Sequence, residues 1–348
     1  MRRQLPWIPA CAGMTVTKGD ESMVMTQLVG LAKNPVPSGA VIGTLKAFDG
    51  VELRFARWEA NQSPRQGTVC LFGGRTEFVE KYFEAVADLR RRGFAVASLD
   101  WRGQGGSDRL LPNPRKGHVR DFADHDDDLN RFMRQIVLPD CPPPYIALGH
   151  SMGGNILLRA AARPNLWYEK IVLSAPMIRL NRRSLPTSRT IAKLISGTMY
   201  RLGAATAYVP GGSDDYGETW PFEHNFITTD RERYLRNNAI VAAEPALGLG
   251  SPTYGWMHAA FASMNAITRT SHFSAIKVPV LFVLGGDDPI ADSPLVEDYA
   301  TRLKLARSIT IPFARHEILQ ERDEVRQQFW SAFDAFAGAN APGVAAGV

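Results

Sequence analysis

Six short apolar segments punctuate the chain between Thr68 and Ile311, at residues 68–72, 94–99, 145–148, 170–174, 280–284 and 308–311. They constrain the fold more than any other feature. Each is strand-sized and often β-branched, with the unbroken apolarity expected of a strand covered on both faces. Between them, apolar residues return at helical spacing: Phe78, Tyr82, Val86 and Leu89, then Leu129, Phe132, Met133 and Ile136, then Val325, Phe329, Phe333 and Phe336. Two earlier extended segments, 41–47 and 51–58, are joined through Phe48, Asp49 and Gly50 and read as a hairpin. Strand and helix in alternation predict an α/β fold on a mainly parallel sheet. The rhythm breaks once, over residues 178–277, where no strand is evident and helix-like, aromatic segments take over. That interval reads as an inserted cap.

Composition narrows the function classes. With 45% hydrophobic and 22% charged residues the chain is neither disordered nor fibrous. Its apolar runs are far shorter than the ~20 residues of a membrane-spanning helix. A formal net charge of +5 falls short of a nucleic-acid signature, so no nucleic-acid partner is expected. Cys11, Cys70 and Cys141 are odd in number and widely spaced, which indicates neither a disulfide framework nor a zinc site and suits a reducing compartment. Residues 1–40 read as an irregular leader. Its apolar stretch is broken by Pro6 and Pro9, the segment from Ile8 to Cys11 only faintly resembles a lipoprotein cleavage box, and Met23 and Met25 are alternative starts. A cytoplasmic location is expected. The expected layout is a core over 41–177 and 278–337, the cap over 178–277, and a small-residue tail over 338–348.

The first chemical signal lies where the third of the six strands ends. Gly149, His150, Ser151, Met152 and Gly153 spell G-x-S-x-G, followed by a helical run over 155–162. Between a strand and a helix this is the setting of a nucleophile elbow, whose strained turn lifts a serine hydroxyl clear and whose glycines allow close packing. The Met152 amide at the helix start is then placed to donate to a developing oxyanion. A glycine-rich turn with a capping serine is the blander alternative. A serine hydroxyl is a weak nucleophile and needs a base held by a third group. Of seven histidines, His118 and His125 precede the serine, and His224, His258 and His272 fall in the cap. His150 should point away from Ser151, which leaves His316, just beyond the last strand, as the base. The acid is expected after the strand at 280–284, with Asp288 preferred and Asp287 and Asp292 still possible from spacing. Ser, Asp, His is the chain order this arrangement requires. A second oxyanion donor is expected from the glycine-bearing loop after residue 72, as the Arg75 amide.

Six motifs in order, GGRTEF around Arg75, DWRGQGGSDR, GHVRDF, GHSMGG, GGDDPIAD and ARHEIL, give the chain from about 41 to 337 a clear resemblance. It resembles the α/β-hydrolase superfamily, in its lysophospholipase and monoacylglycerol lipase branch. The resemblance implies the α/β-hydrolase fold with an inserted, mostly helical cap. It also implies a triad of Ser151, Asp288 and His316, oxyanion donors Arg75 and Met152, a lipid-like ester substrate, and no cofactor. One departure is Gly73-Gly74 where many relatives have His-Gly, which leaves the support of the oxyanion loop to be found elsewhere.

Two other clusters read as structural. His125 among Asp124, Asp126, Asp127 and Asp128 is expected to precede a helix running from Leu129, where acids favour the N-terminus; consecutive carboxylates cannot converge on one metal. Gly103, Gly105 and Gly106 lack the GxGxxG pattern of a phosphate loop. The cap carries eleven Lys and Arg against seven Asp and Glu. Within residues 178–200, Arg179, Arg182, Arg183, Arg189 and Lys193 flank a stripe of Ile191, Leu194, Ile195 and Met199, suited to an anionic membrane surface or an acyl tunnel, or else packed on the core. Trp220, Phe222, Phe226, Trp256 and Phe261 are candidate apolar walls of a substrate site, or else the cap's own small core. A short-chain esterase, thioesterase or proline-releasing peptidase would share the triad, and a non-catalytic binding module would share only the fold.

Overall fold

The computed structural model describes residues 25–215 and 220–339. Cys11, the segment from Ile8 to Cys11, Met23 and most of the expected tail lie outside the described residues. The elements run in chain order as β1 (Val41–Lys46), β2 (Glu52–Trp58), β3 (Gly67–Phe72), α1 (Phe83–Arg91), β4 (Phe94–Leu99), α2 (Phe122–Phe132), α3 (Leu138–Asp140), β5 (Tyr145–His150), α4 (Met152–Ala161) and β6 (Lys170–Ser174). There follow α5 (Arg189–Arg201), α6 (Arg231–Ala243), α7 (Tyr254–Ile267), α8 (Thr270–Ala275), β7 (Val280–Gly285), α9 (Ser293–Thr301), β8 (Ala306–Ile311) and α10 (Asp323–Ala337).

The strands form one eight-stranded sheet in the order β1-β2-β4-β3-β5-β6-β7-β8. β1 and β2 make the expected hairpin, Leu45 opposite Leu53, with Gly50 at φ +91° in its turn. β2 is antiparallel to β4 and every later pairing is parallel. Every residue of β3, β4, β5 and β7 is buried. Alternate residues feed two cores, as strand geometry requires: Val69 and Leu71 join Val86, Leu89, Phe329 and Phe333 on one face, while Cys70 and Phe72 join Phe132, Leu157 and Trp256 on the other. The fold is that of an α/β-hydrolase.

Three sequence expectations change. β8 is an edge strand with only Ile311 buried, since nothing pairs beyond it. α4 begins directly after Ser151 rather than at Asn155. α2 starts at Phe122, capped by Asp121, so the acidic run lies inside the helix and not ahead of it. Its buried acids are ion-paired, Asp128 to Arg102 at 2.6 Å and Asp126 to Arg159 and Arg163 at 2.6 Å each, while Asp127 is exposed. His125 is buried between Trp101 and Phe122, where burial and the nearby Arg102 and Arg159 push its pKa down to about 3.

Between β6 and β7 the described residues contain helices and no strand of the sheet. α7 packs on α4 and joins the core through Trp256, Ala260 and Phe261. α5 lies on α7 through its small residues Ser196 and Gly197, which leaves Ile191, Leu194 and Ile195 exposed at 48, 66 and 38%. α6 is fastened by Arg233, which pairs with Glu84 and Asp323 at 2.6 Å each. Residues 25–40 carry no helix or sheet strand, yet they are tied down where Arg54 donates to Gln27 O at 3.0 Å and Trp58 to Pro37 O at 3.1 Å. Among the described residues no helix is long and apolar enough to cross a membrane.

Candidate active site

β5 ends, the chain turns sharply and α4 begins, all around one serine. Ser151 has φ 49° and ψ −111°, a conformation that costs a non-glycine residue on the order of 1–3 kcal/mol and persists only when its surroundings impose it. The surroundings do so. The Ser151 amide donates to Ser174 O at 3.0 Å, and its carbonyl accepts from Met177 N at 2.9 Å. A Cβ on Gly149 would come within 2.6 Å of Leu157, and one on Gly153 within 2.6 Å of the Phe72 and Gly73 carbonyls. Only glycine at both places lets β5, α4 and β3 close around the turn.

The other two residues arrive on loops at the same edge of the sheet. Asp288 follows β7, and its Oδ1 accepts from the amides of Ile290 at 2.7 Å and Ala291 at 2.9 Å. Oδ2 accepts from His316 Nδ1 at 2.8 Å, and His316 Nε2 lies 3.0 Å from Ser151 Oγ. All three side chains are buried. Burial alone would lower the pKa of His316, but the Asp288 carboxylate, with Glu317 and Glu77 further off, raises it above the ordinary histidine value. The alternatives to Asp288 are elsewhere: Asp287 is exposed, and Asp292 pairs with Arg189 at 2.9 Å. The loop bearing His316 is moored on the segment between β6 and β7, with Glu317 N donating to Ile227 O at 2.9 Å and Arg315 to Asn225 O at 3.0 Å and Thr228 O at 3.1 Å.

His150 was expected to turn away from the serine. Its ring instead lies 4.8 Å from that of His316, with Nδ1 3.1 Å from Ser174 O. Burial is the main cause that pushes its pKa down to about 4, with Glu77 opposing, so it stays neutral beside the other imidazole.

The loop after β3 passes directly over Ser151, since a Cβ on Gly74 would meet the serine Cβ at 3.0 Å. Its support comes from residues the sequence reading did not single out. Glu77 accepts from the Gly74 amide and the Tyr82 hydroxyl, Trp101 donates to Gly73 O at 3.0 Å, and Gln104 donates to Gly74 O at 2.7 Å. Lys81, fully buried, joins Glu77 at 3.1 Å to Glu317 at 2.5 Å and so links this loop to that of His316. Burial would raise the pKa of Glu77, but Lys81 above all brings it down to about 2. The available signal was three charged residues, Glu77, Glu80 and Lys81, set among Phe78, Val79, Tyr82 and Phe83, with Glu77 and Lys81 four apart. The Arg75 guanidinium donates to Gly250 O and lies 5.4 Å over the Trp256 ring, which anchors the same loop from its outer side. The Met152 amide is the first of α4, one of the four a helix leaves without an internal acceptor.

A cavity of about 360 Å³ opens over Ser151 and His316, with Met177, Leu185, Trp220, Phe226, Trp256 and Met257 among its walls. Trp220, Phe226 and Trp256 thus stand where substrate walls were expected. Phe222 packs on Tyr234 instead, and Phe261 lines a different concavity.

Residues 63–323 match the family profile described as serine aminopeptidase, S33. Lysophospholipase L2 of Escherichia coli is 32% identical over 308 residues, 84% of this chain and 86% of its own. A monoacylglycerol lipase of Mycolicibacterium smegmatis is 27% identical, with 79% of this chain and 89% of its own covered. Among solved structures, a soluble variant of monoglyceride lipase from Saccharomyces cerevisiae, in complex with a substrate analog, superposes with a TM-score of 0.69 at 19% identity, covering 87% of this chain and 97% of its own.

Proposed function

The chain belongs to the serine aminopeptidase S33 family, and from its likeness to lysophospholipase L2 and monoacylglycerol lipase we propose that it is a carboxylic-ester hydrolase acting on single-chain lipids, lysophospholipids or monoacylglycerols, through an acyl-enzyme on Ser151. The observation that carries the reading is the continuous hydrogen-bonded line from Asp288 through His316 to Ser151 Oγ, open to a mostly apolar cavity. His316 takes the hydroxyl proton as Ser151 attacks the ester carbonyl, and Asp288 holds the imidazole in the needed tautomer and offsets its charge. The Arg75 and Met152 amides donate to the tetrahedral oxyanion; removing one such donor costs about 3–4 kcal/mol of transition-state stabilisation. The alcohol leaves with a proton from His316. Water, deprotonated by the same histidine, then releases the fatty acid. No step calls on a metal or organic cofactor.

Peptide release is the alternative the family's description raises. An aminopeptidase must hold a cationic amine near the scissile bond, yet the two buried carboxylates of the cavity, Glu77 and Glu317, are both paired with Lys81. The third carboxylate among the lining residues, Asp215, is exposed, and apolar walls with both buried carboxylates neutralised favour an acyl chain. A fluorophosphonate probe tests the nucleophile without knowledge of the substrate. Labelling mapped to Ser151 by mass spectrometry, and lost in His316→Ala, is expected; labelling at another serine, or none in folded protein, overturns the reading.

The lid over this cavity is assigned to residues 178–277, and its α5 to contact with an anionic membrane surface from the cytoplasmic side. What supports this is the exposure of Ile191, Leu194 and Ile195 on a helix flanked by Arg182, Arg183 and Arg201. In co-sedimentation, phosphatidylglycerol vesicles should retain the protein better than phosphatidylcholine vesicles, and Ile191→Glu with Leu194→Glu should lower retention roughly tenfold. Equal retention of the variant would remove α5 from the contact.

A further inference from the structure

A second concavity, of about 450 Å³, sits between α5, the last turns of α7, α8 and α9. Its size falls within the ~300–1,000 Å³ of sites that hold small organic molecules. Neither Ser151 nor His316 lines it, and Leu180 is common to both cavities. Its floor is apolar, built from Phe261, Met264, Phe273, Leu295 and Tyr299. Its rim is cationic: Arg179, Arg189, Lys193 and Arg302 face it, against the carboxylate of Asp298.

These charges do not cancel. Arg302 pairs with Asp298 at 2.6 Å, while Asp292 alone serves both Arg189 at 2.9 Å and Arg179 at 3.9 Å. Lys193, one turn beyond Arg189 on α5, has no ion-pair partner among the described residues. Arg189 Nη1 is buried and has no hydrogen-bond acceptor among them. An anion seated between the exposed part of the Arg189 guanidinium and Lys193 would gain charge-assisted hydrogen bonds from both.

An apolar floor beneath an under-neutralised cationic rim matches a single-chain amphiphile with an anionic head. We propose that this groove binds a free long-chain fatty acid, its carboxylate on Arg189 and Lys193 and its chain over Phe261, Met264 and Phe273. The choice of occupant rests on the reaction proposed above, whose acyl product is such an acid. The occupant would press on Leu180, and the next residue supports the loop of Asp288: Asn181 N donates to Ile290 O at 2.7 Å and its Nδ2 to Asp288 O at 3.0 Å.

The test begins by capping Ser151 with a long-alkyl fluorophosphonate, which occupies the catalytic cavity. Equilibrium binding of radiolabelled oleate to the capped protein then reads the second groove. One equivalent should bind, and Arg189→Met with Lys193→Glu should weaken it roughly tenfold. Asn265→Trp fills the groove from an exposed position, leaves its charges in place and should do the same. Oleyl alcohol should bind about tenfold more weakly than oleate, and lysophosphatidate no more tightly. No binding of oleate to capped protein, or binding untouched by either variant, overturns the proposal. Tighter lysophosphatidate binding also overturns it, by assigning the groove to a phosphate-bearing lipid. Should Ser151 resist capping, it is the catalytic reading that fails, and oleate binding to uncapped wild type and variants still decides the groove.

Discussion

Ser151→Ala is expected to lower ester hydrolysis by about 10⁶-fold while the protein stays folded. On the proposed mechanism the size of the loss follows from the three residues acting as a unit: without the hydroxyl no acyl-enzyme forms, and His316 and Asp288 have nothing to activate. The oxyanion donors and the cavity remain, so about 10³–10⁴-fold acceleration over water should survive. Alanine also relieves nothing in the backbone, because the φ of 49° is imposed by the Ser174 and Met177 hydrogen bonds rather than by the hydroxyl. Turnover of a monoacylglycerol and of a lysophospholipid, measured beside the circular dichroism of the variant, decides it. Retention of more than about a hundredth of wild-type kcat with both substrates would mean that another residue is the nucleophile.

Asp288→Asn should cost about 10⁴-fold in kcat, with the geometry largely preserved. An asparagine can still accept from the Ile290 and Ala291 amides, but it no longer favours the protonated imidazole and allows the wrong tautomer. The pH profile gives a second readout. His316 acts as a base only when neutral, so kcat/KM should fall as pH drops through its folded pKa, which the Asp288 carboxylate holds above 6.5 against the effect of burial. In the Asp288→Asn variant that support is gone, and the acid limb of the residual activity should move to lower pH. A limb that stays in place would separate Asp288 from the titration of His316.

The sheet and the meeting of Ser151, Asp288 and His316 at one edge of it were legible in the sequence because both are written locally. A buried parallel strand must be apolar over its whole length, and a nucleophile elbow must carry glycines where strand and helix would otherwise collide. Asp288 and His316 were found by their place after strands, although Asp287 and Asp292 could be set aside only once the fold showed one exposed and the other paired with Arg189. What was not legible depends on pairing across long sequence distances. The start of α2 was misread because its acids look solvent-facing until Arg102, Arg159 and Arg163 are brought to them. Lys81 meets Glu317 only after the sheet has been assembled, and the inward turn of His150 depends on where His316 comes to rest. β8 reads like an interior strand because sequence does not say which strand ends the sheet.

The mooring of the His316 loop on residues 225–228 bears on modularity. An inserted segment that shapes the substrate cavity invites treatment as an exchangeable cassette, to be swapped between relatives in order to trade one specificity for another. Here that segment also holds the neighbours of His316, the proposed base, with Ile227 O accepting from Glu317 N and Asn225 O and Thr228 O from the Arg315 guanidinium. A transplanted segment of different course would leave Glu317 N and the Arg315 guanidinium without acceptors and His316 without a fixed address. On the proposed mechanism, specificity and catalytic competence are inherited together across residues 225–228, whereas α5 reaches the rest of the fold through α7 and the Arg189–Asp292 pair and supplies none of Ser151, Asp288 and His316.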